Sequence, residues 1–145
     1  MSLEPGVIDA NILVYAMAID APQYAASRAL LDGARDDPAT TLYVTSQILC
    51  EFYSVVTNPR RVTQARSTAD ALQAITGFLA FLHVLPIPAR AVEGWMDLLR
   101  RRPVTGADVF DLQLVATMLA NDVSRIYTFN GSDFAAFPEL AVLTP

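Results

Sequence analysis

Short runs of consecutive apolar residues alternate along the chain with longer stretches in which apolar positions recur every three or four residues. This is the pattern of buried strands alternating with amphipathic helices. Val7-Ile8 is the first short run, and Ala10 to about Ala18 is the first helical stretch, broken by Asp20-Ala21-Pro22. A second helix is predicted from about Gln23 to Arg35, with Ala26, Ala29, Leu30 and Ala34 at helical spacing and Asp36-Asp37-Pro38 as its stop. The run from Thr41 to Thr45 is β-branched and aromatic, which predicts a second strand. Ser46 is placed to cap a helix from Gln47 to about Thr57, which Asn58-Pro59 closes.

Ser67 or Thr68 opens a third long helix, with Ala71, Leu72, Ile75, Phe78, Leu79 and Leu82 in a broad apolar stripe. His83 stands at the entrance to a Val84-Leu85 strand. Ala89 to about Arg101 reads as helix containing Val92, Trp95, Met96 and Leu99, with Trp95 expected in the core, and Pro103 stops it. A loop from Thr105 then runs into a strongly apolar helix that ends at Asn121-Asp122. Arg125 to Phe129 predicts another strand, Asp133 can cap a short turn from Phe134 to Phe137, and Ala141-Val142-Leu143 adds a last strand. No linker, repeat or low-complexity tract interrupts this order. The alternation predicts one α/β domain over residues 1–145, a three-layer α/β/α sandwich with a mainly parallel central sheet.

Composition narrows the class. Hydrophobic residues make up 53% of the chain, which excludes intrinsic disorder. No run approaches the ~18 apolar residues of a membrane span, and the start lacks the basic and apolar regions of an export signal. A reducing cytoplasm is the expected setting, because the single cysteine, Cys50, has no internal partner. Cys50 is expected in or near the core. With no Cys/His pairs, a zinc site is excluded by spacing, and His83 reads as structural.

Charge complicates the picture. Fifteen acids against ten arginines give a net charge of −5, unfavourable at long range for a polyanionic partner. The balance changes if several acids surround a cation. Arg60, Arg61 and Arg66 form one cluster and Arg100, Arg101 and Arg102 another; each is either a phosphate-facing patch or a solvated surface.

The candidate chemistry is carboxylate chemistry. Asp9 ends the first strand, where an open parallel sheet places its ligands, yet Asp is also a favoured N-cap for a helix starting at Ala10. Asn11 is either a solvated first-turn residue or a donor that orients a carboxylate. Gln47, Glu51, Ser54 and Asn58 make a narrow polar stripe, facing either solvent or a polar cleft. Asp108 and Asp111 share one side of a helix start, where acids also suit the helix dipole. Asp111 lies deeper among Val109, Leu112 and Val115, so capping explains it less well. Asn130 and Asp133 follow a strand, and an Asn-Gly turn explains them equally. In a parallel sandwich these positions can converge. Two carboxylates ~4 Å apart repel by ~4 kcal/mol at an effective dielectric of ~20, so a cluster requires a cation or shared protons. Oxygen donors without His or Cys point to magnesium, or else manganese, which activates water for phosphodiester hydrolysis. The chain offers no Ser-His-Asp set and no glycine-rich phosphate loop as competitors.

Four segments in order carry a family resemblance: Val7-Ile8-Asp9-Ala10-Asn11, Ser46 to Tyr53, Asp111 before Leu114-Val115-Ala116-Thr117, and Tyr127 to Phe134. Together they resemble a PIN domain of the VapC toxin family across nearly the whole chain. The resemblance implies a magnesium-dependent endoribonuclease of a toxin-antitoxin pair, acting on RNA, usually homodimeric and silenced by a VapB-like antitoxin. It implies Asp9, Glu51 and Asp111 as metal ligands, with Asp133 as a fourth catalytic acid. Asn11, Thr128, Asn130 and Asp108 are expected as supporting residues. The family's fourth acid often follows the Thr-containing strand, and the first position there is Asn130, with Asp133 three residues on. That departure leaves a second metal open. The apolar second and third helices are the candidate oligomer contacts. Two other readings remain: a catalytically silent metal-binding partner module, and an aspartate-nucleophile phosphatase suggested by Asp9-Ala10-Asn11. The latter requires a second Asp two residues on and a downstream Lys, and the chain has no Lys.

Overall fold

A computed structural model describes residues 3–145; Met1 and Ser2, part of the single-domain expectation, lie outside the described residues. Among the described residues, the strands are β1 (Gly6–Ile8), β2 (Leu42–Val44), β3 (His83–Val84), β4 (Arg125–Tyr127) and β5 (Ala141–Leu143). They form one sheet in the order β3-β2-β1-β4-β5, and every pairing is parallel. Parallel neighbours need long crossovers, and helices supply most of them. These are α1 (Ala10–Tyr15), α2 (Tyr24–Asp36), α3 (Ser46–Val56), α4 (Thr68–Leu79), α5 (Ala91–Arg101) and α6 (Val109–Ala120). Contacts join α1 to α2 and α3, α3 to α4, and α5 to α6. The arrangement is the expected α/β sandwich.

Strand burial explains the apolar runs. Val7, Ile8, Leu42, Val44 and Ile126 are fully buried, because a parallel sheet covered on both faces has no polar side to alternate with. The edges differ. Both residues of β3 are exposed, and the strand is only two residues long, a common way to blunt a sheet edge. Leu85, expected in that strand, is buried just beyond it.

The strand order decides where a ligand can sit. The chain enters the sheet at its centre, steps outward through β2 and β3, then returns to the other side of β1 as β4 and β5. Adjacent strands β1 and β4 therefore have connections leading in opposite directions, which opens a crevice beyond their carboxyl ends. Asp9 and Thr128 are the residues immediately after those two strands.

Local differences from the sequence reading have identifiable causes. The cap of α3 is Thr45, whose side chain accepts from the Ile48 amide at 3.2 Å; Ser46 is already the first helical residue. The first helix ends at Tyr15, and its last turn tightens through bonds from the amides of Met17 and Ala18 to the carbonyls of Val14 and Tyr15. Asp133 does not cap a turn beginning at Phe134; it closes a 3-10 turn over Gly131–Asp133. Cys50 is exposed, contrary to its expected place in the core. Trp95 packs against the core while remaining partly accessible.

Candidate active site at the sheet switch point

Asp9 forms the floor of the crevice. Its side chain both caps a helix and lines the cavity: Oδ1 accepts from the Ala10 amide at 2.8 Å, as an N-cap of α1 does. Oδ2 faces the other strand end and accepts from the Thr128 hydroxyl at 2.8 Å and from Asn11 Nδ2 at 3.3 Å. Thr128, fully buried, in turn accepts from Asn11 Nδ2 at 3.1 Å and from the Asn130 amide at 3.0 Å. Asn11 Oδ1 accepts from the Phe129 amide at 3.2 Å. This closed set of bonds fixes the Asp9 carboxylate and locks the end of β1 to the end of β4.

Around that floor lies a cavity of about 940 Å³ whose wall includes Asp9, Asn11, Glu51, Asp111, Asn130 and Asp133. Four separate elements contribute its acids: the end of β1, the middle of α3, the first turn of α6 and the turn after β4. Burial gives the depth. Asp9 is buried, Asp111 half-buried, and Glu51 and Asp133 exposed towards the opening. The polar stripe of α3 therefore faces a cleft at Gln47, Glu51 and Ser54, all of which line it.

Electrostatics records the crowding. Burial raises the Asp111 carboxyl to about 6, and the charges of Asp133, Asp9, Glu51 and Asp108 add to the shift. Burial also raises Asp9, against the lowering bonds from Thr128, Ala10 and Asn11, while Asp133 pushes it up further. Glu51 is exposed as a residue, yet enough protein surrounds its carboxylate for desolvation to raise it, with the charge of Asp9 contributing and the Gln47 bond opposing.

An uncompensated group of carboxylates around one crevice is a chemical match for a hard divalent cation with oxygen ligands. Asp9, Glu51 and Asp111 could hold it, with Asp133 nearby. The side chains do not form a closed cage as they stand: among the described residues, no three Asp, Glu, His or Cys side chains are gathered as a ready metal site. Like-charged acids without a counter-ion repel, so the donor chemistry fits while the ligand shell is open.

Asp108, expected as a supporting residue, is exposed and does not line the cavity; it acts on Asp111 only through its field. The arginine clusters separate in the same way. Arg61 lines the cavity, whereas Arg66 Nη2 donates to the Met17 carbonyl at 3.0 Å. In the second cluster Arg100 pairs with Asp97, Arg101 with Glu139, and Arg102 lies 5.9 Å from the Phe137 ring centre. That cluster is occupied by its own surroundings.

Gln47 and Phe110 are on the wall, and the sequence singled out neither as a site residue. Gln47 Nε2 donates both to Glu51 Oε1 and to the Phe110 carbonyl, each at 3.2 Å, and so ties α3 to the start of α6. Phe110 is a large apolar residue that is 52% exposed while lining the cavity. The signal for Gln47 was its i,i+4 spacing to Glu51; Phe110 gave none, because an aromatic beside apolar helix positions reads as core.

Known proteins place this geometry. The model of the PIN domain family matches residues 6–140. Ribonuclease VapC43 of Mycobacterium tuberculosis is 33% identical over 139 residues, covering 92% of this chain and 90% of its own, and a VapC ribonuclease of Mycobacterium bovis matches equally. Among solved structures, VapBC2 from Rickettsia felis, bound to a DNA fragment from its promoter, superposes with a TM-score of 0.69 at 19% identity, covering 98% of this chain and 99% of that one. VapC20 of Mycobacterium tuberculosis, a toxin that cleaves the sarcin-ricin loop, gives 0.67 at 16% identity, covering 92% and 95%. The sequence match, the strand order and the acids gathered at the switch point agree, and the chain belongs to the VapC family of PIN-domain proteins.

Proposed function

We propose that this protein is a divalent-metal-dependent endoribonuclease, the toxin of a VapBC-type pair. The observation that carries the reading is the meeting of Asp9, Glu51, Asp111 and Asp133, spread over more than a hundred positions of sequence, in one crevice. Asp9 and Asp111 are the anchoring ligands in this reading, with Glu51 completing the shell or orienting water and Asp133 assisting through water. Magnesium or manganese, when bound, would supply charge neutralisation at the phosphate and an activated water. The chain's own part is positional. Thr128, Asn11 and the Ala10 amide hold Asp9 in one orientation, and Gln47 does the same for Glu51. The raised Asp111 carboxyl makes it the acid whose charge depends most on a neighbouring cation.

Arg61 is the basic residue on the cavity wall among the described residues, and it is placed to hold an RNA phosphate. In this reading a VapB-like antitoxin silences the site and the chain acts as a homodimer in the cytoplasm; solved structures of similar fold that are VapBC complexes support the antitoxin part of it. No described helix is long and apolar enough to cross a membrane.

RNA cleavage by purified protein tests the reading. The wild type should cut RNA with magnesium or manganese and stop in EDTA, while Asp9→Ala and Asp111→Asn should lose at least 100-fold, an order-of-magnitude expectation for removing a metal ligand or its support. Full activity in a folded Asp111→Asn protein would overturn the assignment. The open ligand shell favours one second reading, a silent partner-binding module; magnesium-induced stabilisation with no hydrolysis of any RNA would select it. The phosphatase reading is disfavoured because Asn11 stands where it requires a second Asp, and the chain has no Lys.

A further inference from the structure

We propose that Phe110 is a stacking platform for a nucleobase of the RNA substrate and so a determinant of where the chain cuts; this rests on the ribonuclease reading. On α6 the neighbouring apolar residues Leu112, Leu114, Val115 and Met118 are buried in the core, while Phe110 is turned out of it and is 52% exposed. It is exposed at a particular place. Phe110 lines the acidic cavity and immediately precedes Asp111, so its ring is carried on the same helical turn as a proposed metal ligand. Its backbone is held there: Gln47 Nε2 donates to the Phe110 carbonyl and to Glu51 from the same amide group. An aromatic ring with a fixed root beside the acids is preorganised for contact with whatever reaches them.

The charge balance says what kind of contact the cavity lacks. RNA-binding proteins ordinarily draw much of their affinity from cations against phosphates. Here the chain carries a net charge of −5, and the cavity wall sets Arg61 against Asp9, Glu51, Asp111 and Asp133. Even with a bound cation offsetting part of that charge, phosphate attraction is modest, and affinity must come from a source insensitive to sign. Base-on-aromatic stacking is such a source, available to any base with a free face. An antitoxin seated over the site would also cover Phe110, but only a substrate base ties the ring to one nucleotide at a fixed distance from the cut.

Steady-state cleavage of a single-stranded oligoribonucleotide that the wild type cuts, and of versions with one abasic position moved along it, separates these cases. Phe110→Ala should raise KM roughly 10-fold or more while changing kcat less, and Phe110→Tyr or Phe110→Trp should restore KM. In the wild type, one abasic position near the cut should cost a similar factor, and Phe110→Ala should be insensitive to that same abasic position, the non-additivity expected of two groups in contact. Because the ring is exposed, Phe110→Ala should keep the wild-type Tm. A wild type that cuts RNA, with Phe110→Ala unchanged in KM and in its abasic profile, overturns the stacking role alone. The same holds if Phe110→Ala alters only self-association or antitoxin binding. A wild type that cuts no RNA with magnesium or manganese overturns the ribonuclease reading and this inference with it.

Discussion

Asp111 concentrates the cost of building this crevice. Its carboxyl is raised to about 6, so the folded protein holds that proton more tightly than the unfolded chain does. Stability linked to Asp111 is therefore highest below the ordinary aspartate range, declines as pH rises from about 4 to about 6, and stays at its lower level above that. Asp111→Asn should flatten this decline and raise the Tm of the metal-free protein at pH 7.5, even as it removes RNA cleavage. Thermal melts across pH 4 to 8 in EDTA check both parts. Thr128 is the complementary case, a buried hydroxyl that donates to Asp9 and accepts from Asn11 and the Asn130 amide. Thr128→Val keeps the shape and removes every one of those bonds. It should destabilise by about 1–3 kcal/mol and weaken magnesium binding roughly 10- to 100-fold, read by chemical denaturation and by magnesium titration.

At the scale of elements, the helix starts and the strand spacing carry the site. The cap of α3 fixes the helix that presents Gln47 and Glu51, and the hydroxyl that provides it belongs to Thr45. Thr45→Ala should cost about 1 kcal/mol, whereas Ser46→Ala, at an exposed first helical position, should cost only a few tenths. Urea titrations of the two variants separate the assignments. Between β1 and β4 the controlling residue is Gly6. A Cβ there would come within 2.8 Å of the Tyr127 ring and 3.0 Å of the Arg125 carbonyl, and the Tyr127 hydroxyl donates to the Glu4 carbonyl at 2.7 Å. Gly6→Ala should therefore destabilise by about 1–3 kcal/mol, because backbone cannot move aside as a flexible side chain can. Since these strands carry Asp9 and Thr128 at their ends, the variant should also lose magnesium affinity.

For the whole molecule, the net charge of −5 and the acidic crevice make a cation part of the stability balance. Magnesium in 100-fold excess over its Kd should stabilise the wild type by about 2.7 kcal/mol and leave Asp9→Ala nearly unchanged, measured by Tm with and without the ion. The same balance explains why total charge was a poor guide to function. Four of the fifteen acids lie around one cavity, so much of the excess is local to the place where a cation would offset it.

Much of this was legible before any coordinates. Short apolar runs alternating with helical periodicity determined the α/β class, since strands buried on both faces must be continuously apolar and helices covering them cannot be. The motifs around Asp9, Glu51, Asp111 and Thr128 carried the family resemblance because each sits where a strand or helix presents it. Position within the fold was not legible. The sequence left Asp9 as cap or site residue, and only the tertiary structure shows one oxygen on the Ala10 amide and the other turned to Thr128 at the neighbouring end of β4. It offered two arginine clusters alike, and only folding assigns Arg61 to the cavity while surrounding groups engage Arg66 and Arg100 to Arg102. It placed Cys50 in or near the core and gave no signal for Phe110, yet both line the cavity. The reason is physical: periodicity reports which face of an element is apolar, but what that face meets depends on strand order and helix docking, which are set by contacts between residues far apart in the chain.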